Sequence, residues 1–414
     1  MNCENLGNPS MDKKQQLKHT GNKPKEQSAM EKKKNDKSKS IHDILPLELI
    51  HRILLRVPIR HLARLRCVSK MWCSLISDRD FAEFHFHHSP AATNACFFIE
   101  NPTMAYLVYL DDNYASQKEV RPPFKKKPPY DFAVLGSCRG FILLDRHPHF
   151  LMVWNPLTGF SKRISYSHIV PCRKYRDYFR LTYSARLHGF GYDASQDDYL
   201  LLVAWSDCGG RYHLDCFSLR TNSWINLDVA LPKPLGVFDS FSCGLFLNGA
   251  IHWLPFSLTA DRDAILIFDV KERTFSRISG PKQPVMSACS YPRLALLGGC
   301  LALYYSNKDN CNTNIWVMKE YKVHSSWTLY QIPYKFFRPL CLSSNGDIIG
   351  RGYTSDYKVG YFIYNVREDL LKHFKNLRCP LPIHQADTMY TESLLPLLSD
   401  IKDKDNKKKE ENCM

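Results

Sequence analysis

The stretch Gly136-Ser137-Cys138-Arg139-Gly140 comes nearest to a catalytic motif. A nucleophile elbow needs its serine at the centre of G-x-S-x-G, on a sharp turn that exposes the hydroxyl. Here the serine stands one place too early, and the segment reads instead as the first hairpin turn of a β-repeat. His85-Phe86-His87-His88 clusters three imidazoles, but no cysteine or acid stands in register to complete a metal's coordination shell. These histidines read as the end of a helix. The chain has 15 cysteines, an odd number, and none stands in a C-x-x-C pair. Structural zinc needs closely spaced ligand pairs, so the thiols read as small buried hydrophobes, none marked as activated. No phosphate-cradling G-x-x-x-x-G-K-[ST] occurs. The expectation is a chain with no catalytic residues, no metal and no cofactor.

Binding chemistry is easier to find. Arg173, Lys174, Tyr175, Arg176, Tyr178, Phe179 and Arg180 fall within eight positions. Arg and Tyr supply large contact area at modest entropic cost, and an acidic, flexible peptide is the matching ligand. An insertion without function is the other reading of this segment. The formal net charge of +15 invites a nucleic-acid partner, but its distribution does not. Residues 1–40 carry ten lysines against five acids, while 399–414 carry five of each. The rest is spread thinly, which suits an acidic protein surface equally well. No nucleic acid and no membrane are expected as partners.

Residues 1–40 are poor in aromatic and β-branched side chains and cannot bury enough apolar surface to offset their ordering entropy. They are expected to be a disordered tail, with Lys32-Lys33-Lys34 a possible nuclear-import signal. The charged segment 397–414 is expected to be a second tail. With neither a signal peptide nor a run of about 18 apolar residues, the expected location is cytoplasmic, nuclear or both.

The elements that must position any binding surface come in two kinds. In IHDILPLELIHRILLRVP, Leu45, Leu49, Ile50, Ile53, Leu54 and Val57 recur at helical spacing, with Pro46 suited to a first turn. Pro58 breaks this helix and starts the next, which carries Leu62, Leu65 and Val68. Ser69 is placed to cap a third with Trp72, Leu75 and Ile76, and a last short turn runs from Asp78 to about Phe86. Three or four short helices over 41–88 form a core too small to stand alone, so one apolar face is expected to meet a partner.

From about Cys96 the apolar period becomes two and the runs shorten. Five segments share one shape: VWNPLTGFSKRI, CFSLRTNSWINL, LIFDVKERTFSRI, IWVMKEYKVHSSWTLYQI and FIYNVREDLLKHF. Their anchors Trp154, Phe217, Phe268, Trp316 and Ile363 stand 63, 51, 48 and 47 residues apart. Upstream of each lies a turn, at Gly140, Gln196-Asp197, Gly249, Gly299 and Gly346. Two hairpins per fifty residues is the content of a propeller blade, and radial closure removes exposed sheet edges. The expected fold is mainly β: a propeller-like repeat domain of about six blades over 96–396. Residues 97–135 and 379–396 would supply the last blade by pairing the two ends. A β-sandwich with coincidental spacing is the alternative.

Residues 44–85 resemble an F-box. Leu45-Pro46, Glu48-Leu49, Ile53-Leu54, Val57-Pro58 and Leu62 stand where that family has its L-P-x-E-L and I-L-x-x-L-P pattern. Arg66-Cys67-Val68-Ser69-Lys70 and Trp72 match its R-C-V-S-K-x-W core, with Cys73 a departure. Downstream, Gly136-Ser137-Cys138-Arg139-Gly140, Val153-Trp154-Asn155-Pro156, Gly189-Phe190-Gly191-Tyr192-Asp193, Asn248-Gly249-Ala250-Ile251-His252-Trp253 and Ile315-Trp316-Val317-Met318 resemble the F-box-associated interaction domain of plant F-box proteins of the F-box/kelch-repeat type. A double glycine per blade marks true kelch repeats, and Gly298-Gly299 is the one pair so placed. The resemblance implies a non-catalytic, substrate-recognition subunit of an SCF-type cullin–RING ubiquitin ligase. Its F-box would bind a Skp-type adaptor, and through it a cullin, while the β domain holds an unknown target. Carried over from matching positions, the adaptor-binding residues would be Leu45, Pro46, Leu49, Ile50, Leu54, Val57, Pro58, Leu62 and Trp72. The basic, aromatic segment Arg173–Arg180 becomes the candidate target site. A protein-interaction scaffold outside any ligase is the alternative function.

Overall fold

A computed structural model describes residues 45–397, apart from 89–93, 102, 113, 124–132, 147–149, 166–186, 207–210, 229–242, 255–263, 282–288, 308–311, 355 and 380–386. The chain divides into two compact units, Met1–Leu49 and Ile50–Met414. No helix among the described residues is long and apolar enough to cross a membrane.

Four helices open the described chain: α1 (Leu47–Leu54), α2 (Ile59–Leu65), α3 (Lys70–Ile76) and α4 (Arg79–His88). Each start follows from local chemistry. Pro58 precedes α2 with φ −55°, a value its ring presets. The Ser69 hydroxyl accepts from the Trp72 N–H at 3.1 Å and caps α3. The Asp78 carboxylate accepts from the Phe81 N–H at 3.0 Å and does the same for α4. With that cap α4 runs for ten residues, where the sequence pattern suggested only a short turn. His85 is why: it is buried, and its Nε2 meets the Val57 carbonyl at 3.1 Å, tying the fourth helix back to the end of the first.

The strands follow in groups of four. Blade one begins with β1 (Asn94–Asn101), β2 (Met104–Leu110) and β3 (Ala115–Val120). Blade two is β4 (Ala133–Cys138), β5 (Phe141–Arg146), β6 (Phe150–Trp154) and β7 (Ser161–Ser165). Blade three is β8 (Leu187–Asp193), β9 (Asp198–Ser206), β10 (Tyr212–Ser218) and β11 (Ser223–Leu227). Blade four is β12 (Cys243–Leu247), β13 (Ala250–Trp253), β14 (Ala264–Asp269) and β15 (Thr274–Ser279). Blade five is β16 (Cys289–Leu297), β17 (Cys300–Asn307), β18 (Thr313–Met318) and β19 (Trp327–Ile332). Blade six is β20 (Arg338–Leu342), β21 (Ile348–Tyr353), β22 (Val359–Asn365) and β23 (Leu370–Phe374). Last comes β24 (Asp387–Thr391), which pairs antiparallel with β1 and completes blade one. The two ends of the domain therefore meet in one sheet, and the ring has six blades.

All five sequence anchors lie on the third strand of their blades, and all five upstream turns join a first strand to a second. Blades three and four touch more closely than the others: β8 and β12 pair in parallel, His188 opposite Cys243 and Gly189 opposite Gly244. Glycine permits it. A Cβ on Gly244 would come within 2.4 Å of Ile251 and 2.5 Å of Trp253.

Successive residues of a strand point to opposite faces, and in these blades both faces are buried. On β1, Ala95, Phe97 and Ile99 pack against Ile142, Leu144 and Trp154 of blade two. Cys96 and Phe98, between them, pack against Ile349, Tyr361 and Ile363 of blade six. On β14, Leu266 and Phe268 face blade three while Ile265 and Ile267 face blade five. This is why the inner strands read as unbroken apolar runs. Each fully buried Phe, Leu or Ile contributes about 1.5–3 kcal/mol.

Candidate functional site

The expected adaptor-binding residues separate on folding. Ile50, Leu54 and Leu62 are 3%, 1% and 0% exposed, so they are core side chains with no surface to offer a partner. Leu45, Val57 and Trp72 are half-buried, while Pro46, Leu49 and Pro58 are exposed. The structure adds three exposed apolar residues that the carried-over set omitted: Leu47 (55%), Ile53 (52%) and Val68 (63%). The signal for Ile53 was present in the sequence, since it stands one helical turn beyond Leu49, whereas Ile50 and Leu54 mark the adjacent stripe. Nothing in periodicity says which stripe of a two-faced helix turns inward.

The other expected site, Arg173, Lys174, Tyr175, Arg176, Tyr178, Phe179 and Arg180, lies outside the described residues. In each blade, first-to-second and third-to-fourth turns lie at one end, and second-to-third turns and interblade connections lie at the other.

Helices α2 and α4 sit at the opposite end. The Arg60 Nε of α2 donates to Glu392, just past β24, at 2.7 Å, and the Glu392 side chain is 1% exposed. The Tyr109 hydroxyl donates to the other Glu392 oxygen at 3.0 Å, and the Arg60 guanidinium lies 3.5 Å above the Tyr109 ring. Burial, reinforced by the Glu392 charge, pushes the Tyr109 phenol up, so it stays a hydrogen-bond donor at all ordinary pH. On α4, Glu83 accepts from Arg139 of the β4–β5 turn, and Arg79 pairs with Asp197 of the β8–β9 turn. The Arg139 guanidinium also covers the Tyr192 ring at 4.0 Å and the Phe86 ring at 5.1 Å. Burial opposes the charge of Arg139, but Tyr199 and Glu83 more than compensate.

The groups that might have done chemistry are occupied structurally. Ser137 is on β4 and donates to the Met389 carbonyl of β24. Arg139 and Gly140 adopt φ +45° and +86° and form the tight hairpin turn the sequence suggested. His87 faces Glu83 at 3.5 Å and His88 Nδ1 meets the Phe84 carbonyl at 2.9 Å. Among the described residues no group of three or more His, Cys, Asp or Glu could hold a metal ion. Burial pushes Cys138, Cys216, Cys243 and Cys341 up to about 12, the reverse of an activated thiol.

Comparison with known families agrees with this architecture. Residues 43–84 match the F-box domain, and residues 96–383 match the F-box associated beta propeller domain. The chain belongs to the F-box proteins that carry this propeller. An F-box/kelch-repeat protein of Arabidopsis thaliana is 27% identical over 339 residues, covering 78% of this chain and 87% of that one. The F-box protein CPR1 of the same plant is 28% identical over 336 residues, covering 73% and 78%. An F-box implies a Skp-type adaptor as partner, and no enzymatic family is indicated for the chain.

Proposed function

We propose that this F-box protein is the substrate-recognition subunit of an SCF-type cullin–RING ubiquitin ligase, acting in the cytosol or nucleus. One observation carries the reading: the helices expose Leu47, Leu49, Ile53 and Val68, while α2 and α4 are pinned to one end of the propeller. Apolar side chains kept exposed on so small a module call for a partner to cover them, and the Skp-type adaptor is that partner. The far end of the ring, where the interblade connections run, is left for the target. The chain performs no bond chemistry in this role. It raises the rate by holding target lysines near the thioester of a conjugating enzyme brought by the cullin.

The test is reconstitution. The full chain is co-expressed with a Skp-type adaptor, cullin and RING subunit and purified through the adaptor. The expected result is a stoichiometric complex that ubiquitinates proteins captured by the propeller. A folded chain that fails to retain any Skp-type adaptor overturns the reading and leaves an interaction scaffold.

A further inference from the structure

Charge is unevenly placed on the helices. Between Ile50 and Ser77 the chain carries six cations, Arg52, Arg56, Arg60, Arg64, Arg66 and Lys70, and not one Asp or Glu. Arg60 is held by the buried Glu392. The other five make no ion pair among the described residues. Arg52, Arg56, Arg64 and Lys70 are exposed, and Arg66 is half-buried. Helix α4, which lies against the propeller, is the opposite case: Arg79 pairs with Asp197 and Glu83 with Arg139. Where this molecule has met its contact the charges are matched, and over residues 50–77 they are left over. Helix-end electrostatics accounts for part of the surplus, since Arg52 and Arg64 stand in the last turns of α1 and α2. It does not account for Lys70, the first residue of α3, where a cation meets the positive end of the helix and no acid offsets it. In sequence, Arg52 and Arg56 bracket Ile53, and Arg66 and Lys70 bracket Val68. Those two are the large apolar side chains that this stretch leaves exposed, at 52% and 63%.

We propose that residues 50–77 form a docking surface for an acidic face of the Skp-type adaptor, on which apolar contacts hold the complex and the unpaired cations speed its formation. The proposal deepens the receptor reading and rests on it. Charge complementarity sets the sign of the partner, and the interleaved apolar residues set its class. A phosphate backbone would take the cations and leave Ile53 and Val68 in water. A protein face that carries carboxylates among apolar side chains satisfies both. The pairs it forms with exposed arginines and a lysine stay partly solvated, so each adds little to affinity. Their main effect is on encounter. A field of one sign reaches about 8 Å into physiological salt and orients the partner before contact. Association is then faster than for a neutral surface of the same shape, while dissociation is set by the apolar contacts.

The experiment uses the full chain and a purified Skp-type adaptor, with association and dissociation rates read by interferometry from about 50 mM to about 0.5 M salt. The association rate of the parent is expected to fall about tenfold or more over that range, while dissociation changes less than about threefold. Arg52→Gln, Arg56→Gln, Arg64→Gln and Lys70→Gln combined should lower the low-salt association rate by about tenfold and flatten its salt dependence. All four side chains are exposed, so the thermal midpoint should stay that of the parent. As a control for net charge, Lys271→Gln, Lys319→Gln, Lys372→Gln and Lys375→Gln combined removes the same charge from exposed sites on the propeller. That variant should slow association less than about threefold. Salt-independent association of the parent overturns the proposal, and so does equal slowing in the two variants. Both results leave the ligase reading standing, because the adaptor still binds. If association is salt-independent and a single-stranded oligonucleotide is retained by the same cations, they belong to nucleic acid instead. A salt effect that appears only when cullin is present overturns the assignment to the adaptor. Failure to bind any adaptor at every salt concentration overturns the ligase reading together with the proposal.

Discussion

The helices and the blades use apolar residues in opposite ways. On β1 and β14 every second residue packs to one neighbouring blade and the residues between pack to the other, so nothing apolar is left over. On α1 the stripe holding Ile50 and Leu54 is buried, while Leu47, Leu49 and Ile53 remain between 44% and 55% exposed. In the ring the inner strands have a neighbouring blade on both faces, so their apolar residues go inward. Only outer strands such as β11 and β23 leave some exposed, Ile225 and Leu370 among them. A short helix cannot bury its whole circumference without a second layer, and its surplus stays exposed. The lesson is that apolar content alone says little about stability. What matters is whether the fold supplies a neighbour on both sides.

The comparison breaks most directly in the core of the ring. Trp154→Ala removes a side chain packed edge-on against Phe97 at 5.7 Å between ring centroids and 2% exposed. It is expected to cost about 3–5 kcal/mol, read as a lower guanidinium midpoint.

Acid offers a second way to weaken the ring. Burial alone would raise the Asp387 carboxyl, but Arg338 and Arg351 outweigh it and hold it below the usual carboxylate range. Its folded value thus lies under the unfolded one. The stabilisation is therefore complete above the unfolded value, about 4, and is lost as pH falls through the folded one. Denaturant midpoints should be flat in this respect from pH 7 to 5 and drop below about pH 4. Asp387→Asn should lose that acid limb in addition to being less stable at neutral pH. A variant as stable and as acid-sensitive as the parent would show that the cluster does not staple β24 into the ring.

Gly140→Ala tests the seam between the two regions. The glycine has φ +86°, and a Cβ there would lie 2.1 Å from the Cβ of Ser393. The expected cost is about 1–3 kcal/mol. The same loss should appear as faster hydrogen exchange in the segment after β24, which holds Asn155 through the Ser393 carbonyl at 2.9 Å.

Arg60→Met sharpens the comparison further. Arg60 is about a third exposed, so solvent screens its ion pair, and about 1 kcal/mol or less is expected from the lost pair. Exchange should quicken in α2 while the blades keep their protection.

The smallest stability effect belongs to Leu49→Arg combined with Ile53→Arg. Both positions are exposed, so the free chain should change by no more than about 0.5 kcal/mol. Adaptor capture, by contrast, should fall by two orders of magnitude or more, measured by pull-down with the purified adaptor. Undiminished capture would move the adaptor surface away from α1.

Much of the architecture was legible in the chain. Ser69 as a cap, the turns at Gly140, Gly249, Gly299 and Gly346, and the five anchors each rest on local chemistry: a side chain that satisfies a nearby N–H, a backbone angle that favours glycine, a repeat of strand and turn. The closing of blade one by the C-terminal strand was also readable, because only the two chain ends had strands to spare. The family resemblance rests on motifs of the same local kind.

Other features depend on residues far apart in sequence. Glu392 and Arg60 are separated by 332 positions, and no local pattern announces that an acid after the last strand will hold the second helix. Asp387 meets Arg338 and Arg351 only because β20, β21 and β24 come side by side when the ring closes. The cavity lined by Arg293, Arg338 and Asp387 exists only because first strands of five blades come together when the ring closes. In α1, helical spacing established two apolar stripes without ranking them. The sequence determined the elements, because those follow from interactions between near neighbours. Tertiary structure decided which surplus is core, which is surface and which charges share a cavity, because burial and Coulomb interactions depend on distance in space and not along the chain.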